Sequence, residues 1–198
     1  MNIILGSSSP RRKEILEGFF KNLKIHMPHI NEELKNDESP VHYAERISRE
    51  KADSIFRHFK NEKSFLIITC DTIVALDNMI FGKPDDLENA KNKLWQLSGR
   101  THEVISSITL IVKNTDYIEY KTGTEKSFVT FKQLNESDID NYLNKIDYTD
   151  KAGAYAVQEQ SNMIIERING SISNVKGFPL TLFYKMMADL NLLEIIFY

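Results

Sequence analysis

The sequence has a single cysteine, Cys70, in 198 residues. A lone thiol excludes an internal disulfide and any cysteine-built zinc cluster, which makes the cytoplasm the expected compartment. Long apolar runs are missing as well. Met1 leads directly into a short apolar segment with no basic region ahead of an extended one, so neither a membrane span nor a secretory signal is expected. Positive excess is also absent: the net charge is -3, so general attraction to nucleic acid is excluded and anion binding has to be local. No Walker A spacing occurs, because the glycines are wrongly placed and no lysine of such a loop is followed by serine or threonine; a P-loop transferase is thereby disfavoured. Internal repeats, low-complexity stretches and linkers are lacking too. What remains is the balance of a soluble globular chain, 41% hydrophobic and 27% charged, long enough for one core and read as a single domain over residues 1–198.

The stretch Gly6-Ser7-Ser8-Ser9-Pro10-Arg11-Arg12 organises the rest. Asn2 to Leu5 suits a buried strand, Gly6 to Ser8 a turn, Ser9 an N-cap and Pro10 a first helical position, with a helix running to about Phe20. Helix N-termini present unpaired N–H groups and partial positive charge, and here two guanidiniums are added. Arginine is disfavoured there by the helix dipole, a cost that a bound polyanion would offset. An ordinary capped helix with solvated arginines is the competing reading.

A second cap-then-proline signal, Ser39-Pro40, opens a helix to about Phe59 with an apolar stripe of Val41, Ala44, Ile47, Ile55 and Phe59. Lys51 interrupts that stripe. Its stem points toward the protein, either snorkelling past the core edge or reaching a buried anionic site. Phe65 to Thr69 is a buried strand that delivers Cys70-Asp71-Thr72, and Ile73 to Leu76 continues it. A carboxylate inside such a run is expensive to bury, so Asp71 is expected to face a cation, a donor network or a cleft. Asp77-Asn78 predicts a turn, Met79 to Phe81 a return strand, and Asp85 or Asp86 a cap for a helix ending near Leu97. Two long strands, about Thr101 to Val112 and Tyr117 to Lys132, form a hairpin through Lys113 to Asp116. A short helix over Asn135 to Lys145, strands over Ala154 to Gln158 and Asn162 to Ile168, a turn at Asn169-Gly170 and a helix over Leu180 to Leu190 complete the reading. The fold class expected is α/β, a sheet with helices and a cleft.

Arg11, Arg12, Lys51 and Lys83, the last in a Gly-Lys-Pro loop, supply four cations beside one carboxylate, Asp71. That set suits polyphosphate chemistry: the cations neutralise a triphosphate, while Asp71 holds a divalent metal or takes a proton from the attacking water.

These residues closely resemble the Maf family of septum formation inhibitor-like nucleoside triphosphate pyrophosphatases, over almost the full chain. Ser7 to Leu16 resembles the opening signature and Arg49-Glu50-Lys51-Ala52 the helix motif. Asp71-Thr72-Ile73-Val74, Gly82-Lys83-Pro84, Leu97 to Val104 and Asp150-Lys151-Ala152-Gly153-Ala154-Tyr155 follow in family order, and Ile165 to Gly170 and Val175 to Leu180 close it. The resemblance implies a two-lobed fold like that of inosine triphosphate pyrophosphatases, with a mixed sheet flanked by helices and a central cleft. It implies hydrolysis between the α and β phosphates to a monophosphate and pyrophosphate. Asp71 then matches the proton acceptor, with Ser7, Ser9, Arg11, Arg12, Lys51 and Lys83 on the phosphates. Arg11, Thr72 and Gln158 match positions that select dTTP and UTP. Mg2+ or Mn2+ is the implied cofactor, with Asp71, Glu32 and Glu33 as candidate ligands. The implied partner is the triphosphate substrate, with no stable nucleic acid and no membrane, and homodimers are frequent in the family. A 7-methyl-GTP or modified-nucleotide pyrophosphatase and a non-catalytic cell-division regulator are the alternatives.

Three positions depart from the family pattern. Cys70 replaces alanine, Phe178 replaces leucine, and Glu159 stands where glycine normally follows the glutamine. A nucleophilic role for Cys70 competes with simple packing, and Glu159 puts a carboxylate where the base or sugar is expected to bind.

Overall fold

One long strand, β3 (Phe65–Leu76), is the axis on which the other elements are assembled. The computed structural model describes residues 1–115 and 117–196. Its mixed sheet runs β2 (Leu23–Ile25), β1 (Asn2–Gly6), β3, β5 (Thr101–Lys113), β6 (Ile118–Phe131) and β7 (Ile165–Asn169), with β4 (Met79–Phe81) also paired to β3. β1 is parallel to β2 and β3, and the remaining pairs are antiparallel.

Strand alternation distributes β3 between two faces. Phe65, Ile67, Ile73 and Ala75 meet α2 (Pro40–Phe59) through Ala44, Ala52 and Ile55. On the other face, Leu66, Ile68 and Cys70 pack with Leu16 of α1 (Pro10–Glu17) and with Phe183, Met186 and Met187 of α7 (Leu180–Asp189). Val74 and Leu76 share that second face but join a separate cluster with Leu94 and Leu97 of α3 (Leu87–Leu97) and Ile139 and Tyr142 of α4 (Glu136–Leu143). The two clusters on one face mark two lobes.

Register places the cleft between them. β1 accompanies β3 only from Phe65 to Thr69, and β4 only from Val74 to Leu76, whereas β5 follows the opposite edge from Phe65 to Ala75. Residues 70–73 therefore have no strand neighbour on one edge among those described. Backbone carbonyls there need other donors, and for Cys70 O that donor is Arg12 of α1, delivered by the turn after β1. That turn must come close: a Cβ on Gly6 would lie 2.7 Å from Thr69 Cγ2 and 2.9 Å from Ile55 Cγ1, so glycine is required by space.

The helix over Pro40–Phe59 has the predicted bounds, Ser9 and Ser39 cap as read from the sequence, Asp86 rather than Asp85 caps α3, and Asn135 is the cap of α4 rather than its first residue. α1 stops at Glu17, three residues earlier than expected, with Gly18 at its C-cap. Two strand expectations are corrected. Ala154 to Gln158 is not a strand, because Gly153 and Ala154 adopt left-handed φ of 69° and 60° and fold into a 3-10 turn over Ala152–Ala154. Residues 162–164 belong to a one-turn helix, α5 (Ser161–Ile164), and β7 begins only at Ile165. A further short helix, α6 (Ile172–Val175), was not foreseen. The hairpin between β5 and β6 forms as expected, although Asp116 of its predicted connection lies outside the described residues. No helix among those described is long and apolar enough to cross a membrane.

Candidate active site

A cleft of about 810 Å³ opens at the unpaired edge of β3 and is lined by the β1–α1 turn, the 27–32 loop, the Gly82-Lys83 loop, residues 147–158 and the α6–α7 connection. Asp71 projects from β3 onto the α2 face and is only 6% exposed. Lys51, one helical turn beyond Ile47 on α2 and 7% exposed, meets it with Nζ 2.7 Å from Asp71 Oδ1. Snorkelling is thereby excluded. The same ammonium lies 3.0 Å from Glu32 Oε1, so two carboxylates converge on one point at the cleft.

Glu32 is held there by α2. Tyr43 donates its hydroxyl to the Glu32 carbonyl at 2.7 Å. Burial, reinforced by the Asp71 and Glu32 charges, pushes that phenol up to about 12, so it acts as a neutral donor. Arg46 grips the same loop, donating to both carboxylate oxygens of Glu38 at 2.6 and 2.7 Å and to the Glu33 carbonyl at 2.9 Å. Bidentate pairing of this kind fixes geometry as well as charge. Glu33 itself is exposed and does not line the cleft; the structure brings Glu32, not Glu33, to Asp71.

The predicted phosphate cradle divides in two. Ser9 Oγ caps α1, accepting from the Arg12 N–H at 3.5 Å, and Ser7 Oγ accepts from the Ser9 N–H at 3.1 Å. Arg12 uses four of the five donors of a guanidinium on the protein: Nε to Gly177 O, Nη1 to Cys70 O and Ser7 Oγ, and Nη2 to Thr72 Oγ1. Gly177 has φ 99°, a conformation that presents its carbonyl and costs glycine little. Arg12 is thus a brace that replaces the missing strand neighbour at Cys70 and joins it to the α6–α7 connection. Thr72 Oγ1 also lies 2.8 Å from Ser106 Oγ, so its hydroxyl is engaged from two sides.

Arg11 and Lys83 are different. Among the described residues Arg11, which lines the cleft, reaches only Asp150, at 3.5 Å, and Lys83, exposed there, has no ion-pair partner. Gln158 is exposed on the same lining. Sequence reading missed Lys151 and Lys176 as cations of the cleft, although both lie in stretches that resemble family motifs. Cys70 is buried, burial pushes its thiol up, and Sγ contacts the Gly177 carbonyl at 3.5 Å; it packs and does not act as a nucleophile.

One wall rests on His102. Its Nε2 and the Tyr155 hydroxyl share a hydrogen bond of 2.8 Å, and both rings meet Phe131 edge to face. His102 is 1% exposed, and burial drops its pKa from 6.5 to about 3. Between those values the unfolded chain binds a proton that the native chain does not, so stability should fall as pH drops from about 6.5 toward 3. One such proton corresponds to about 1.4 kcal/mol per pH unit. Urea unfolding between pH 4 and 6 should therefore show a shallower pH slope in His102→Gln than in the parent. An unchanged slope would mean that native His102 is already protonated.

The frame of the site is an α/β sheet split by a cation-lined cleft around one buried carboxylate, Asp71. The fold is that of the Staphylococcus aureus Ham1 protein, which is 11% identical with a TM-score of 0.50, over 96% of this chain and 100% of that one. The chain belongs to the Maf family: residues 2–190 match the family described as Maf-like protein. A dTTP/UTP pyrophosphatase of Clostridioides difficile is 40% identical over 91% of each chain. One of Thermotoga maritima is 38% identical over 96% of this chain and 89% of its own.

Proposed function

We propose that this protein hydrolyses nucleoside triphosphates between the α and β phosphates, with dTTP and UTP preferred, releasing the monophosphate and pyrophosphate. The observation that carries the reading is the Asp71–Lys51–Glu32 cluster at the floor of a cation-lined cleft, in a chain of the Maf family. Asp71 accepts the proton of a water attacking the α phosphorus. Arg11, Lys51 and Lys83 offset the charge that builds on the leaving pyrophosphate, and Arg12 adds its one uncommitted donor. Lys51 also orients the Asp71 carboxylate through its 2.7 Å contact. Ser7 and Ser9 shape the turn under the phosphates, and Arg11, Thr72 and Gln158 line the part of the cleft assigned to substrate choice.

A divalent cation fits this donor set. Among the described residues no three ligating side chains cluster, but Mg2+ commonly takes one or two carboxylates and completes its shell with substrate phosphates and water. Asp71 and Glu32 are that pair, both on the Lys51 ammonium. When bound, Mg2+ or Mn2+ supplies charge neutralisation at the phosphates and a more acidic water.

The test is a panel of dTTP, UTP, CTP, dATP, GTP and 7-methyl-GTP with Mg2+ or Mn2+, with products resolved as pyrophosphate or orthophosphate. Pyrophosphate release selective for dTTP and UTP is the expected result. Selective turnover of 7-methyl-GTP would reassign the base preference, and orthophosphate as the first product would reject the reaction.

A further inference from the structure

Lys151, at 5% exposure, is as enclosed in the cleft lining as Lys51 of the catalytic cluster, at 7%. Its Nζ lies 2.8 Å from Asp150 Oδ1 and 3.4 Å from Glu159 Oε1, and it donates to the Asp147 carbonyl. Asp150 is shared, because its second oxygen faces Arg11 at 3.5 Å. Arg11 and Lys151 thus share Asp150, and Glu159 adds a second carboxylate to Lys151 on a wall that also carries Asp147. Glu159, the residue that departs from the family's glycine, points its charge at Lys151 rather than leaving it free beside the base.

The segment that Glu159 anchors has no regular secondary structure. Between the 3-10 turn at Ala152–Ala154 and α5, it is held from behind by the buried Tyr142, whose hydroxyl accepts from the Ala156 N–H at 3.1 Å and lies 3.5 Å from the Glu159 carbonyl. At its far end Gln160 is left-handed, with φ 50°. The Glu159–Lys151 pair is the tether on its cleft side, and Gln158 is the adjacent residue, exposed into the cleft.

A carboxamide can read uracil or thymine by accepting from N3–H and donating to the neighbouring carbonyl. Rotated by 180° it presents the reverse pattern, which suits cytosine equally well. Selectivity therefore demands that the glutamine be held in one place and one orientation, since a mobile amide discriminates little. We infer that Glu159 is a positioning residue for base selection: by pairing with buried Lys151 it fixes the Ala156–Gln160 segment so that Gln158 favours uracil and thymine over cytosine. This rests on the base preference proposed above.

The experiment measures binding of non-hydrolysable α,β-imido analogues of UTP and CTP by calorimetry, alongside turnover of UTP and CTP, in the parent, Glu159→Gln and Glu159→Asp. The parent should favour the uridine analogue. Glu159→Gln, nearly isosteric but uncharged, should lower the UTP-over-CTP ratio about tenfold in both binding and kcat/KM, mainly through a higher KM for UTP. Glu159→Asp, which keeps the charge, should retain most of the ratio. An unchanged ratio in Glu159→Gln, or equal losses for both nucleotides with a lowered melting temperature, would overturn the inference. A parent that turns over UTP but binds both analogues equally would overturn it together with the base preference, leaving the hydrolytic reaction standing. Absence of any turnover with a preserved uridine preference in binding would instead reject the reaction and leave the positioning role intact.

Discussion

Asp71→Asn should lower kcat by about 10²- to 10⁴-fold, the range for loss of a positioned general base. The substitution keeps size and leaves an acceptor oxygen for Lys51, while Glu32 remains on the other side of the ammonium at 3.0 Å. Melting temperature should accordingly change little, so the loss can be read as chemistry. KM should move much less than kcat, because binding of the triphosphate rests on the cations of the cleft rather than on Asp71. Steady-state pyrophosphate release, with calorimetry of both proteins, checks this. Turnover within a few fold of the parent would remove Asp71 from the mechanism.

The second large effect is structural. Arg12→Lys should destabilise the fold by about 3–5 kcal/mol, because charged hydrogen bonds to Gly177 O, Cys70 O and Thr72 Oγ1 are lost together and an ammonium cannot reproduce the planar fork. For a chain of this size that corresponds to roughly 10 °C in melting temperature. Scanning calorimetry is the readout. A melting temperature within a degree or two of the parent, with only KM raised, would mean that Arg12 is a phosphate ligand first and a brace second.

That distinction shows where the sequence was legible and where it was not. Cap signals, helix periodicity and a carboxylate set among strand residues located Asp71, Lys51 and both helices that carry the site, because each rule is local. The sequence left Lys51 between snorkelling and a buried anionic site, and Asp71 between a cation, a donor network and a cleft; their pairing is set by the packing of α2 on β3. Arg12 was read as a phosphate ligand because two adjacent arginines look alike in sequence. Their divergence depends on β3 outrunning β1, which leaves Cys70 O without a strand partner and draws one guanidinium inward.

Residues 154–158 misled for a similar reason. Ala154 to Val157 has the composition of a strand, but a Cβ at Gly153 would lie 3.2 Å from both Val74 methyls, and the Gly153 N–H is taken by the Gly82 carbonyl at 3.2 Å. Contact with β3 and the Lys83 loop sets the turn, and neither neighbour is visible from the local pattern. Lys151 has no role legible in the sequence, since a charge in a polar loop reads as solvated until its burial is known. Glu32 and Glu33 could not be separated either; only the Tyr43 and Arg46 contacts decide which carboxylate reaches the site.

Hydrolysis of UTP in oxygen-18-enriched water, with the products analysed by mass spectrometry, tests the central claim most directly. Attack of an Asp71-activated water on the α phosphorus places the label in uridine monophosphate and leaves pyrophosphate unlabelled. Label in pyrophosphate, or in orthophosphate, would place the attack on another phosphorus and contradict the account.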